Sequence, residues 1–209
     1  MTTGKWWSAA ASPRSPRPEP DVRTPVLYLI VGPNGAGKTT LFERVIGPAT
    51  GLEFVNADLI AAEQWPGAGP EHAYEAAKLA AARRDELIAA RGSFATETVF
   101  SHPSKLEMLE RARTAGYRTY LQVVLVPKAL AVARVRNRVE TGGHYVPADK
   151  VEERFDRLWP LVAGAVRIAD EATVYDNSRG SLLTVARYSS GRLVGAPSCP
   201  PWTPSELKG

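Results

Sequence analysis

Apolar and polar positions fall in blocks along this chain, and the blocks have two periods. "PVLYLIVG" (25–32) is a short unbroken apolar run, the pattern of a strand covered on both faces. Lys38 to Val45 reads as a helix closed by "IGPATG". "LEFVNAD" (52–58) predicts a second strand that leaves Asp58 at its carboxyl end. An alanine-rich helix is expected over 70–91, and "SFATETVF" (93–100) is β-prone. "SKLEMLERARTAG" (104–116) predicts a helix closed by Gly116, since glycine accommodates the turn just past a helix end. "YRTYLQVVLV" (117–126) reads as a strand and "KALAVARVRNRVE" (128–140) as a helix. A "TGGHYVP" loop follows, then a helix from about residue 148, a strand at "ATVYDNS" (172–178) and a small hairpin at "LLTVARYSSGRLV" (182–194).

Strands alternating with helices imply an α/β fold: a parallel sheet with helices on both faces, three layers in all, plus a short C-terminal hairpin. Ligands bind such sheets beyond the carboxyl ends of the strands. Gly32, Asp58 and Glu97 fall at or near those ends.

Length and composition narrow this picture a little. At 209 residues the chain suits one well-buried domain. We expect it over 25–194, between a disordered Pro/Arg-rich tail (1–24) and a flexible tail (195–209). No apolar run reaches membrane-spanning length. The first residues do not read as a signal peptide, because their one apolar stretch runs straight into proline and arginine. Cys199 is the single cysteine, so neither an internal disulfide nor a cysteine metal cluster can form. A cytoplasmic location is the simplest expectation. The net charge is +4, and Arg111 to Arg138 contains seven Lys or Arg and no Asp or Glu. Such a block suits an anionic partner or a solvated helix face.

The chemistry begins at "GPNGAGKT". Residues Gly32 to Thr39 fit G-x-x-x-x-G-K-T, between a buried strand and a helix. In that setting the glycines let backbone N–H groups of Gly32, Pro33's neighbours Asn34 and Gly35, Ala36 and Gly37 point at a phosphate. The helix N-terminus adds its positive end. Lys38 reaches the outer phosphates, and Thr39, followed by Thr40, offers a hydroxyl to magnesium. Nucleotide binding, with ATP and Mg²⁺ as the cofactors, is therefore expected. An N-K-x-D guanine signature is missing, which argues against a switch GTPase.

Other residues bear on the reaction. Asp58 can accept the proton of an attacking hydroxyl, or it can cap the helix that follows. Glu97, inside an apolar β-prone segment beside Thr98, needs a partner such as a substrate hydroxyl or a magnesium-bound water, or else it is a surface glutamate on an edge strand. Arg134 and Arg138 are four apart and share a helix face, and Arg154 follows across the "GGHYVP" loop. Such arginines can close over a triphosphate, with Gly142 and Gly143 as the hinge. Arg136 reads as surface. His144 can orient that loop or touch substrate. Asn177 in "YDNS" can contact adenine or form a turn.

Taken in order, "GPNGAGKTT", "FVNAD", "SFATET", "AGY", "ARVRNRV", "GGHYVP", "RF" and "DNS" resemble the zeta-toxin-like kinases over about residues 26–178. The resemblance implies a P-loop kinase fold. It also implies transfer of the γ-phosphate of ATP to a hydroxyl of the amino sugar in UDP-N-acetylglucosamine, and restraint by a small antitoxin. On that resemblance Lys38 and Thr39 hold ATP and magnesium, and Asp58 is the general base. Glu97 and Thr98 lie in the substrate pocket, and Arg138, Arg154 and Arg134 face the phosphates. Two rivals stand beside this reading. One is a kinase of nucleic acid ends, motivated by the basic block but lacking interleaved aromatics. The other is a nucleotide-binding module without phosphotransfer.

Overall fold

The computed structural model describes residues 24–140 and 148–208. The expected tail at 1–23 and the "TGGHYVP" loop lie outside the described residues.

Strand β1 (Val26–Val31) lies at the centre of the sheet. Its side chains alternate: Leu27, Leu29 and Val31 enter the larger core cluster, while Ile30 enters the smaller one on the opposite face. Both faces are therefore dry, which is why the run is apolar throughout rather than alternating. Helix α1 (Lys38–Leu41) follows, then a π-helical stretch at Phe42–Ile46 and α2 (Gly47–Thr50). The helical path thus continues past Val45, where the sequence suggested a stop, and ends at Gly51 in the left-handed conformation. Pro48 lies within this continuous helical path, just after the π-helical stretch, and does not halt it.

Strand β2 (Glu53–Val55) is short, and helix α3 (Ala57–Gln64) begins two residues after it. Helix α4 (Ala73–Ala89), strand β3 (Phe94–Thr98), helix α5 (Ser104–Thr114) and strand β4 (Arg118–Leu125) fall within the expected spans. So do helix α6 (Lys128–Glu140) and helix α7 (Ala148–Ile168), while strand β5 (Glu171–Asp176) starts one residue before the expected 172–178 and ends two residues short of it. The order is β2-β3-β1-β4-β5, with all these pairs parallel. The chain leaves β1 for β2 at the far edge and later returns to β4 on the other side of β1. This reversal opens a crevice at the carboxyl end of β1.

The expected hairpin is built from β6 (Leu183–Ser189) and β7 (Arg192–Leu193). It is not a separate appendage. β6 pairs antiparallel with β5 and carries the sheet to seven strands. The segment 195–208, expected to be flexible, packs onto this edge. Ser198 N donates to Val185 O, the Tyr188 hydroxyl donates to Leu207 O, and Leu207 is buried in the larger core cluster. One apolar anchor and a few backbone bonds suffice to dock a tail rich in proline, whose backbone has little entropy left to lose.

Candidate active site

The loop at residues 32–37 turns sharply between β1 and α1, and it is braced by its neighbours. Gly32 has φ +150°, and a Cβ there would lie 2.4 Å from Val124 O. Only glycine lets β4 approach so closely. The Lys38 ammonium, 8% exposed, folds back to donate to Pro33 O at 3.0 Å. The far side of the loop is held from β5 and α6. Asn177 N donates to Leu125 O, and its side-chain amide donates to Ala36 O at 2.7 Å. Arg134 donates to Gly35 O at 3.3 Å and to Asn177 O at 2.9 Å. The sequence offered Asn177 as an adenine contact or a plain turn. It does open a turn, with Gly180 N donating to its carbonyl at 3.5 Å, and its side-chain amide is committed to the loop backbone.

Strand register brings the acidic partner. β1 pairs with β3 so that Ile30 faces Glu97 and Val31 faces Thr98. The half-buried Glu97 carboxylate accepts from the Thr39 hydroxyl at 2.9 Å. The Thr98 hydroxyl accepts the N–H of Phe100, a buried residue held at φ +64°. That bond supports a sharp exit from β3 into the cleft wall.

Asp58 stands elsewhere than the sequence reading put it. It lies in the first turn of α3, three residues past β2, and is exposed at the cleft mouth. Nor does it cap the helix. Asn56 is the cap, and its side-chain oxygen accepts from Asp58 N at 2.7 Å and from Leu59 N at 3.4 Å. At 3% exposure Asn56 has little freedom, so it fixes the backbone that carries Asp58. Asn56→Ala should cost about 1 kcal/mol of stability by loss of the cap. It should also lower turnover through misplacement of Asp58. Urea unfolding read beside kcat checks both, and a stability loss with unchanged kcat would confine Asn56 to a structural role.

These groups line one cleft of about 720 Å³. Asn34, Lys38, Thr39, Asp58, Glu97 and Thr98 border it, together with Arg134 and Arg154. Arg136 is exposed and does not border it. The Arg138 side chain, His144 and the glycine pair 142–143 lie outside the described residues. The cleft also takes in two cations that the sequence reading passed over, Arg84 and Lys105. Ala73, Ala77, Ala80 and Arg84 recur at helical spacing and mark a cleft-facing stripe, a signal present in the sequence.

The basic block from Arg111 to Arg138 does not persist as a block. Arg111 pairs with Asp85, Arg118 with Glu171 and Lys128 with Asp156, while Arg134 turns to the loop. The residues are shared among α5, β4 and α6.

The donor set is compatible with magnesium. Thr39 and Glu97 are hard oxygen donors side by side at the start of α1. Among the described residues no group of three His, Cys, Asp or Glu could hold a metal. Such a place suits an ion that takes few protein ligands and completes its shell with water and nucleotide oxygens.

A glycine-rich loop at the switch point of a 2-3-1-4-5 parallel core, with lysine, threonine and a cross-strand glutamate at its helix end, defines a P-loop phosphotransferase of the kinase type. The zeta toxin family model matches residues 11–184, and the chain belongs to that family. Among solved structures, the fold is similar to a candidate kinase from Chloroflexus aurantiacus, at 17% identity and TM-score 0.59 over 76% of this chain and 91% of that one. The AvrRxo1-ORF1:-ORF2 complex with ATP aligns at 15% identity and TM-score 0.64, over 82% of this chain and 60% of that one. The PezAT chromosomal toxin–antitoxin system of Streptococcus pneumoniae aligns at 14% identity and TM-score 0.54, over 80% of this chain and 74% of that one. At these identities the likeness is one of fold. The chain thus spans less than two thirds of the AvrRxo1-ORF1:-ORF2 chain it aligns with. A sequence search of curated proteins finds no match. Among the described residues no helix is long and apolar enough to cross a membrane.

Proposed function

We propose that the protein transfers the γ-phosphoryl group of ATP to a hydroxyl of a nucleotide sugar, UDP-N-acetylglucosamine, and is the toxin of a pair restrained by a small antitoxin. The observation that carries the chemistry is convergence: Lys38, the Thr39–Glu97 pair and Asp58 border one cleft. Family membership supports the acceptor and the antitoxin.

The loop backbone and Lys38 hold the triphosphate, and Thr39 with Glu97 holds magnesium directly or through water. Magnesium, when bound, neutralises charge on the outer phosphates. Asp58, exposed where it borders the cleft, orients the acceptor hydroxyl and takes its proton. Arg154, on α7 and half-buried at the cleft, and Arg134, already on the loop, face the charge that develops on the transferring group. Catalysis of this kind is mainly positioning and electrostatics. The nucleic-acid alternative loses support, because the basic block that motivated it is dispersed over three elements and Arg111, Arg118 and Lys128 are ion-paired.

Mass spectrometry of a reaction with Mg-ATP and UDP-N-acetylglucosamine tests the proposal. A sugar nucleotide heavier by one phosphate is expected, and it should be lost with Lys38→Ala. ATP consumption with a cell extract but no such product would keep the phosphotransferase and reject this acceptor.

A further inference from the structure

Arg84 is the least expected residue in the cleft. It lies in the last third of α4, is 8% exposed and borders the cavity. Among the described residues no hydrogen bond or ion pair engages its guanidinium. The adjacent carboxylate, Asp85, pairs with Arg111 and acts on Arg84 only through its charge. A second cation, Lys105, stands half-buried in the first turn of α5 and borders the same cavity, also without an ion-pair partner among the described residues. Burial lowers the Lys105 pKa, and the positive charge of Arg84 lowers it further, so the two cations feel each other. Burial is also what chiefly holds the Arg84 pKa below its ordinary value. A buried charge that makes no direct ion pair is costly, and a ligand of opposite sign offsets that cost.

The place of the pair says which ligand. Arg134 and Asn177 reach the loop from the β4–β5 side of β1. Arg84 stands on α4, which packs on β2 and on α3, the helix of Asp58, while Lys105 stands on α5, which packs on β4 and α7, and the cleft brings the two cations together. Ala73, Ala77 and Ala80 continue the stripe of Arg84 along α4 with small side chains, which leaves room in front of the guanidinium.

We propose that Arg84 and Lys105 form an anion subsite for a phosphate group carried by the acceptor, distinct from the site of the transferred phosphate. The argument rests on the kinase reading for the word acceptor, but not on any particular sugar. A planar guanidinium forks onto two phosphate oxygens while lysine adds a point charge. Two cations together match a phosphate or diphosphate better than a single carboxylate. Arg84 is a specificity residue here: it holds the acceptor by a remote group and does not touch the reacting hydroxyl.

The test is calorimetric titration of inorganic phosphate into the full chain already saturated with Mg²⁺ and AMP-PNP, so that the nucleotide loop is filled. Wild type should bind one further phosphate. Arg84→Gln should bind it roughly ten- to hundred-fold more weakly, the range for losing a charge-assisted bond. Lys105→Gln should weaken it less, and Arg84→Lys should recover part of the loss. AMP-PNP affinity should be unchanged in all three, and Arg84→Gln should melt close to wild type, because it removes a buried charge that makes no direct ion pair. The proposal is overturned if nucleotide-loaded wild type binds no phosphate, if Arg84→Gln binds it as well as wild type, or if malonate binds more tightly than phosphate. Phosphate binding that depends on Arg84, in a protein that never phosphorylates UDP-N-acetylglucosamine, would remove that acceptor and sustain the subsite. Turnover of UDP-N-acetylglucosamine by Arg84→Gln with an unchanged KM would sustain the acceptor and remove the subsite.

Discussion

Asp58→Asn should leave Mg-ATP binding within a few-fold of wild type and lower phosphoryl transfer by about 10²–10⁴-fold, the usual contribution of a positioned base. The substitution keeps shape and removes only the ability to take a proton. Structure should survive it, since Asp58 is exposed and its N–H, not its carboxylate, makes the capping bond to Asn56. Loss of one carboxylate from the first turn of α3 weakens the interaction with the helix dipole by about 0.3–1 kcal/mol at most. Single-turnover rates should therefore fall while the calorimetric affinity for ATP analogues holds. Lys38→Ala makes the contrast, because that side chain is buried against the loop and both quantities should drop. If Asp58→Asn transferred phosphate at the wild-type rate, proton acceptance would have to be assigned to another group, and Glu97 would be the first to examine.

The parts of this site that could be read from the chain are those whose geometry is local. Residues 32–39 are contiguous, and the glycines, lysine and threonine act through their own backbone turn, so a short window contains the whole argument. Asp58 was legible as a residue but not in its place. The strand was read through Asp58, yet it ends at Val55, because the Asn56 side chain starts a helix by capping two N–H groups. The Thr39–Glu97 bond joins residues 58 apart in sequence and depends on β3 being inserted between β2 and β1. Sequence alternation predicts a parallel sheet but not which strand lies beside which. The same is true of Asn177, which reaches Ala36 across 141 residues. Charge misled for a related reason. Arg111, Arg118 and Lys128 are a cluster along the chain, but the fold hands each to an acid from a different segment. Arg84 was hidden by the opposite effect. On paper it is one of two adjacent arginines in an alanine-rich helix, and only burial separates it from Arg83, which pairs with Glu53 at the surface.

Gly37→Ala should damage both nucleotide binding and stability. Gly37 has φ +93°, and a Cβ there would lie 2.4 Å from the Asn177 side-chain nitrogen. Two penalties combine: about 1–2 kcal/mol for a left-handed backbone at a non-glycine residue, and about 1–3 kcal/mol for overpacking. Asn177 cannot simply turn away, since its amide holds Ala36 O and its own carbonyl holds Arg134. The loop should therefore open, and affinity for ATP analogues should fall along with stability. Gly51→Ala is the control. Gly51 is also left-handed, at φ +64°, but a Cβ there meets nothing within 4 Å, so only the backbone penalty applies and nucleotide affinity should be unchanged. The double variant Gly37→Ala, Asn177→Ala separates the terms. Removing the Asn177 side chain relieves the clash but forfeits the bond to Ala36, so the two losses should add to less than their sum, with a coupling of about 0.5–3 kcal/mol in urea unfolding. Strict additivity would mean that Asn177 and Gly37 do not meet, and that the brace lies elsewhere. A sub-additive result with affinity still lost would show that nucleotide binding depends on the backbone turn itself, held from behind by β5.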